Sequence, residues 1–158
     1  LDEPRPEGRP SADDHGFLGA EVRLAKGAKK IALMLMGLAA QKFQAKLADQ
    51  QEVMGYCADV VTETYALESA LLRTQKKAAR DGEAAAAPFA MALKVFAEGA
   101  VSRIEAAARQ ALPTIESDEM LNTCMEGVAR FTDRQPLATI PLRRSLALLA
   151  LEKNGYPF

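Results

Sequence analysis

Tryptophan is absent from this 158-residue chain, and aromatic residues make up only 6% of it. Proteins that bind single-stranded nucleic acid stack bases on exposed aromatic rings, so this function class is not favoured. The net charge of −1 gives no general attraction to nucleic acid or anionic lipid. A single histidine, His15, offers no histidine cluster for a metal. We therefore predict neither nucleic-acid binding nor a metal site.

Cysteine is scarce too, because Cys57 and Cys124 are the only two and form no CxxC pair. This usage favours a reducing compartment. Both cysteines fall on the inward sides of predicted helices, where a buried thiol keeps a high pKa and is a poor nucleophile. We expect each to act as a small core residue.

No other set of residues has the pattern of an active site. Paired carboxylates perform acid–base chemistry only where a dry pocket holds them together, and nothing in the sequence predicts such a pocket. A solvated surface or a helix start is therefore expected for both glutamate pairs, Glu63 with Glu68 and Glu116 with Glu119. No glycine belongs to a phosphate-binding loop, since no strand precedes and no GK[ST] follows. The residues alone predict no catalytic residue, no cofactor-binding residue and no metal ligand.

What the chain does contain is 49% apolar and 26% charged residues, a globular composition long enough for one domain with a core. Residues 1–16, LDEPRPEGRPSADDHG, hold three prolines, two glycines and seven charges. Such a segment buries too little apolar surface to order itself, so we predict a polar, Pro-rich linker or junction there. Residues 17–158 form the predicted single helical domain. The start at Leu1, without a basic-then-apolar leader, indicates a processed chain or a fragment.

The first predicted helix, around Arg23–Gln44, contains the ten uncharged residues IALMLMGLAA. At 100° per residue, its polar positions fall on one narrow stripe, and the other sides are apolar. This pattern predicts a central helix buried on most of its circumference, with the side of Leu33, Met36 and Ala40 covered like the side of Ile31 and Leu35. Ten residues are too few for a membrane span, which needs about 18–20.

Four further helices follow in the pattern. The second runs from Gln50 to about Arg80, with Asp49 opening a capping box. The third has Pro88 in its first turn and a core stripe that includes Phe89 and Phe96. A fourth is capped by Ser117 or Asp118, and a fifth begins at Thr139 and closes at Asn154-Gly155. No segment alternates with period two, so the predicted fold is all-α, an antiparallel bundle of four long helices and a short C-terminal helix.

The fifth helix carries more leucine than one buried side needs. Leu142, Leu146 and Leu149 suit the core, whereas Leu148 and Leu151 point the other way with Arg144 between them. We predict that Arg144, Leu148 and Leu151 contact a second partner. The alternative is that the tail Tyr156-Pro157-Phe158 covers the two leucines. The six methionines are expected to fill the core.

Three stretches resemble a known family: KGAKKIALMLMGLAAQKF, LADQQEVMGYCADVVTETYALESALLRTQK and FAMALKVFAEGAVSRIEAAARQAL. They are similar to the helical C-terminal extension of acyl-CoA dehydrogenases of the very-long-chain type, and the similarity extends from about Phe17 to Phe158. The resemblance implies a domain, because the FAD, the acyl-CoA pocket and the catalytic glutamate of that family belong to the preceding part. No catalytic residue is therefore carried over to this chain.

The resemblance also implies partners and a location. It suggests a non-catalytic domain of an FAD-dependent enzyme of fatty acid β-oxidation that packs on the catalytic body, supports a homodimer and makes peripheral membrane contact. The location would be the bacterial cytoplasm or the mitochondrial matrix. The alternative function is a freestanding helical-bundle interaction module with no enzymatic parent.

Overall fold

The computed structural model describes residues 16–155 and 158, and this part of the chain is an all-α bundle without strands. Its helices are α1 (Gly19–Phe43), α2 (Gln51–Asp81), α3 (Glu83–Ile115), α4 (Asp118–Phe131) and α5 (Thr139–Glu152), with a short 3₁₀ helix at Gln44–Asp49. The predicted five-helix, all-α bundle is confirmed. Its fourth helix has 14 residues, the same length as the fifth. The predicted linker lies, apart from Gly16, outside the described residues.

A single residue, Gly82, joins α2 to α3. Its backbone, at φ 88° and ψ 159°, occupies a region that is essentially restricted to glycine. The Gly82 amide donates to the Ala78 carbonyl at 2.9 Å and closes α2. The chain can therefore reverse within one residue, and the two longest helices pack side by side as a hairpin.

One predicted helix start and one predicted helix cap are wrong. α3 begins at Glu83, five residues before Pro88, because the alanines at 84–87 are the strongest helix formers. Pro88 then costs only a backbone bond near the start of the helix. Asp49 forms no capping box, since Gln50 is the N-cap of α2 and makes no side-chain cap bond. Asp49 itself lies in the 3₁₀ helix, whereas an N-cap needs a non-helical backbone.

The core is built from large aliphatic side chains of the three long helices, with a smaller contribution from α4. Its fully buried members are Ile31, Leu35, Val60, Leu67, Leu93, Ile104, Leu112, Ile115 and Val128. α3 is the central helix, since it contacts each of the other α-helices. Among the described helices, α3 is also the one that is long and apolar enough to cross a membrane. Its contacts with each of the other α-helices are typical of the core helix of a bundle.

α1 is not covered on most of its circumference, contrary to the prediction. Ile31 and Leu35 are buried, yet Leu33 is 68% exposed and Met36 is 41% exposed. The reason is that the described helices cover the side of α1 that holds Ile31 and Leu35, and leave Leu33 and Met36 in contact with solvent. The polar stripe is exposed as predicted, at positions Arg23, Lys26, Lys30, Gln41 and Gln44.

The connection between α4 and α5 is held against α3 by Arg134. Its guanidinium donates to the Thr132 carbonyl at 3.0 Å, to Ser102 Oγ at 2.8 Å and to Glu98 Oε2 at 3.2 Å. Ser102 and Glu98 belong to α3, so this cluster anchors the connection before α5 to α3.

Candidate partner-binding surfaces

The outer side of α5 is an exposed apolar stripe around one cation. We call Ile140, Arg144, Leu148 and Leu151 the α5 outer face. Its three apolar side chains are exposed by 64%, 59% and 75% in that order, and Arg144 is exposed as well. Within the described part of the chain, α5 contacts only α3 and has no buried residue. The structure thus places the three predicted contact residues together at the surface, and their contact with a partner stays a prediction.

Ile140 was missed in the sequence although a signal was present. It precedes Leu151 by eleven residues, which is a rotation of only about 20° at 100° per residue. Ile140 lies beside Pro141 in the first turn of α5.

The inward side of α5 agrees with the prediction. Leu142, Leu146 and Leu149 are half-buried, and α3 is the helix against which they can pack. The Phe158 ring lies edge-on against Phe89 with centroids 5.1 Å apart, so it does not cover the α5 outer face. Tyr156 and Pro157 lie outside the described residues.

A second apolar surface lies across α1 and α2. We call this surface the α1–α2 face. It consists of six exposed residues, namely Leu33, Met36, Met54, Val61, Tyr65 and Leu72. The α2 members share one side, because steps of 4 and 7 residues return nearly to the same direction on a helix. An ion pair between Lys29 and Glu68 sets the antiparallel register of the two helices. One turn further along, Leu33 and Tyr65 come to lie at the same level, which makes the surface continuous.

The methionines are not simply core filler. Met36, Met54 and Met120 are 41%, 45% and 52% exposed, while Met34 and Met125 are partly buried against the core. A single-sequence pattern shows that a side of a helix is apolar, but it does not show whether a neighbour covers that side.

Glu63 and Glu68, considered as paired carboxylates, do not form a pair with each other. Glu63 pairs with Arg103 of α3 at 2.9 Å, whereas Glu68 pairs with Lys29 of α1, so the two carboxylates point to different neighbours. Among the described residues, no group of His, Cys, Asp or Glu could hold a metal ion.

Cys124 is buried in the core as predicted, whereas Cys57 is only half-buried against it. Burial raises the pKa of the Cys57 thiol, and it raises the pKa of the Cys124 thiol together with a smaller effect of the Glu116 carboxylate. A thiol with a raised pKa carries little thiolate at neutral pH, so neither cysteine is poised as a nucleophile.

An apolar groove of about 320 Å³ runs between α2 and α3. Phe89 and Phe96, predicted as core residues, are instead half-buried walls of this groove, because α2 leaves that side of α3 partly open. Arg73 lies over the Phe89 ring at 5.8 Å, and Lys77 does so at 5.7 Å. Among the described residues that line the groove, no nucleophile lies next to a base.

Fold and surfaces define an all-α domain with a buried core and two exposed apolar surfaces. The family model "Acyl-CoA dehydrogenase, C-terminal domain" matches residues 27–130 of the chain. The chain therefore belongs to the family of acyl-CoA dehydrogenase C-terminal domains.

Relatives of known sequence and structure agree with this assignment. A probable acyl-CoA dehydrogenase of Bacillus subtilis (strain 168) is 35% identical over 147 residues, which are 93% of this chain and 25% of the relative. The crystal structure of an acyl-CoA dehydrogenase complexed with FAD from Bacillus anthracis matches with a TM-score of 0.83 at 35% identity. That match covers 92% of this chain and 24% of the other. The chain thus spans about a quarter of the length of these relatives.

Proposed function

We propose that this chain is the non-catalytic C-terminal domain of an FAD-dependent acyl-CoA dehydrogenase of fatty acid β-oxidation. In the proposed parent, FAD and the acyl-CoA substrate bind to the part outside this domain. The domain packs on that part and supports assembly of a homodimer. Family membership and the acyl-CoA dehydrogenase names of relatives about four times as long support the proposal.

The observation that carries an assembly role is the construction of α5. This helix presents half-buried leucines to α3 and exposed leucines to solvent, so it is apolar on two sides while having one neighbour. Leu148 and Leu151 at 59% and 75% exposure contribute little to the domain's own core. Large apolar side chains grouped on one surface are typical of a protein–protein contact. Arg144 between them offers directed hydrogen bonds to a carboxylate of the partner.

The same surface supports two finer parts of the proposal. Peripheral membrane contact is compatible with exposed leucines beside arginines, which can lie at a lipid interface. The proposed location is the bacterial cytoplasm or the mitochondrial matrix, where a reducing environment suits two free cysteines.

We predict that replacing both Leu148 and Leu151 by glutamate leaves the domain folded but weakens its assembly with the parent enzyme or its second subunit. The reason is that the new carboxylates lie in water in the free domain and become buried only in the complex. Circular dichroism checks the fold, and sedimentation of wild type and double mutant checks assembly.

The matched control is the double replacement of Leu146 and Leu149 by glutamate, which should disrupt the packing of α5 on α3. Unfolding of the Leu148/Leu151 variant would assign those leucines to the domain's own core. Wild-type assembly of a folded variant would remove the α5 outer face from the proposal. The complete reading frame tests the parent itself, since a frame of this domain alone would indicate a freestanding interaction module.

A further inference from the structure

We infer that the α1–α2 face is the surface on which the body of the parent dehydrogenase docks, meaning the part of the same polypeptide outside this domain. This inference rests on the proposed function and adds the location of the contact. It concerns a different surface from the α5 outer face.

The first step of the argument is the exposure of the α1–α2 face. Tyr65 and Leu33 are 72% and 68% exposed, and Leu72 is 55% exposed. These values belong to large side chains grouped on one surface, whereas single exposed leucines scattered over a protein need no explanation. Buried residues of α1 and α2 belong to the same core and the two helices pack against each other, so the surface is preformed.

The second step is the size of the surface. Its α2 members extend from Met54 to Leu72, about 27 Å along the helix, and two adjacent helices are about 20 Å wide, which gives roughly 540 Å². Stable protein interfaces bury about 800 Å² on each partner. The α1–α2 face is therefore large enough to form the central part of such an interface.

The third step identifies the occupant. Relatives of this chain contain about three times as much polypeptide outside the matching region as inside it, because the match covers 25% of the curated relative. In a family of C-terminal domains this additional body precedes α1. A body tethered next to α1 has a high effective concentration at the face that α1 builds, which favours it over a second copy arriving from solution.

The fourth step is that both surfaces can be occupied at once. Among the described helices, α5 contacts α3 and neither α1 nor α2, whose exposed sides build the α1–α2 face. A body docked on α1 and α2 thus leaves the α5 outer face free for another contact.

The test uses methionine oxidation by hydrogen peroxide in the full-length parent enzyme with FAD bound. Met36 and Met54 lie on the α1–α2 face, while Met120 on α4 lies outside both surfaces with similar exposure in the domain. Oxidation rate follows exposure, so we expect Met36 and Met54 to oxidise several-fold more slowly than Met120. Rates equal to that of Met120 would overturn the inference, while the proposed function would stand.

Dilution and one variant separate the possible occupants. Protection that is independent of protein concentration supports a body from the same chain, whereas protection lost together with dimer dissociation would assign the face to a second subunit and overturn the inference.

Tyr65→Glu should raise the oxidation rate of Met36 toward that of Met120. Gln41→Glu, on the exposed polar stripe of α1, is the control and should leave the rates unchanged. A reading frame without a dehydrogenase body would instead refute the proposed function.

Discussion

Helices α3 and α5 are both rich in apolar residues, yet the bundle uses them in opposite ways. α3 has buried residues along nearly its whole length, from Ala86 to Ile115, and contacts each of the other α-helices. α5 has none and contacts α3 alone. Most buried residues of α3 are alanines, whereas α5 exposes large leucines such as Leu151. Burial in this domain therefore follows the number of neighbouring helices and not the hydrophobicity of the helix.

The difference shows which apolar residues serve the fold and which remain for partners. Alanine lets helices approach closely, and this suits α3 at the centre of the bundle. Leucine on a peripheral helix contributes to stability only on the side that has a neighbour. The outward leucines of α5 and the residues of the α1–α2 face lack such a neighbour among the described helices, and we propose that their contacts lie outside the domain.

The largest effect is expected from Ile104→Ala in α3. Ile104 is 1% exposed, so the substitution leaves a cavity in the core and should cost about 2–5 kcal/mol of unfolding free energy. Leu151→Ala in α5 should stay within about 0.5 kcal/mol, because the side chain is solvated in both states. Urea denaturation followed by circular dichroism measures both. Equal losses in the two variants would break the comparison between α3 and α5.

An intermediate effect is expected where α1 touches α4. A Cβ at residue 27 would collide with the carbonyl oxygen of Phe131, so Gly27→Ala must push two backbones apart and should cost about 1–3 kcal/mol. Gly37 lies on the same helix, and a Cβ there would meet nothing within 4 Å. Gly37→Ala should stabilise the domain by about 0.5–1 kcal/mol. Thermal unfolding midpoints that move in the same direction would contradict this contrast along α1.

A smaller effect is expected from Arg134→Ala, which removes the cluster that anchors the connection before α5 to α3. Arg134 is 19% exposed and bonds to three partners, so its loss should cost about 1–2 kcal/mol. Arg109→Ala breaks only an exposed pair with Glu105 in the same helix and should cost less than about 0.5 kcal/mol.

Hydrogen exchange locates the consequence of this change. Exchange of α5 amides should rise in the Arg134 variant while that of α3 stays unchanged. Uniform exchange across both helices would mean that α5 is part of the central core after all.

Much of the fold followed from local patterns. The break at Asp81-Gly82, the N-cap at Ser117 and the start at Thr139 all lie where the sequence predicted them, because caps and breakers act within a few residues. The helix start predicted at Pro88 and the cap predicted at Asp49 were wrong, because at each place another local preference competes. The alanines at 84–87 favour helix ahead of Pro88, and the 3₁₀ helix includes Asp49.

The candidate surfaces were only half predictable. The outward direction of Leu148 and Leu151 follows from the helical repeat, because α5 is short and its two sides are both marked by leucine. The helical pattern of α1 predicts that Leu33 and Met36 lie in the core, yet both are exposed. An apolar helix with a narrow polar stripe has the same pattern whether one helix or several pack against it. The pattern of α2 likewise does not show that the side of Tyr65 is left exposed.

The sequence by itself determined that the chain is helical, where its helices begin and end within a few residues, and which sides of them are apolar. These properties depend on backbone propensities and on a repeat of 3.6 residues, which are local. Only the tertiary structure decided which apolar sides are covered. That α3 is central, that α1 is covered on one side, and that α1 and α2 expose a joint surface all depend on contacts between residues far apart in the chain. Such contacts depend on how the helices pack together, which no local pattern specifies.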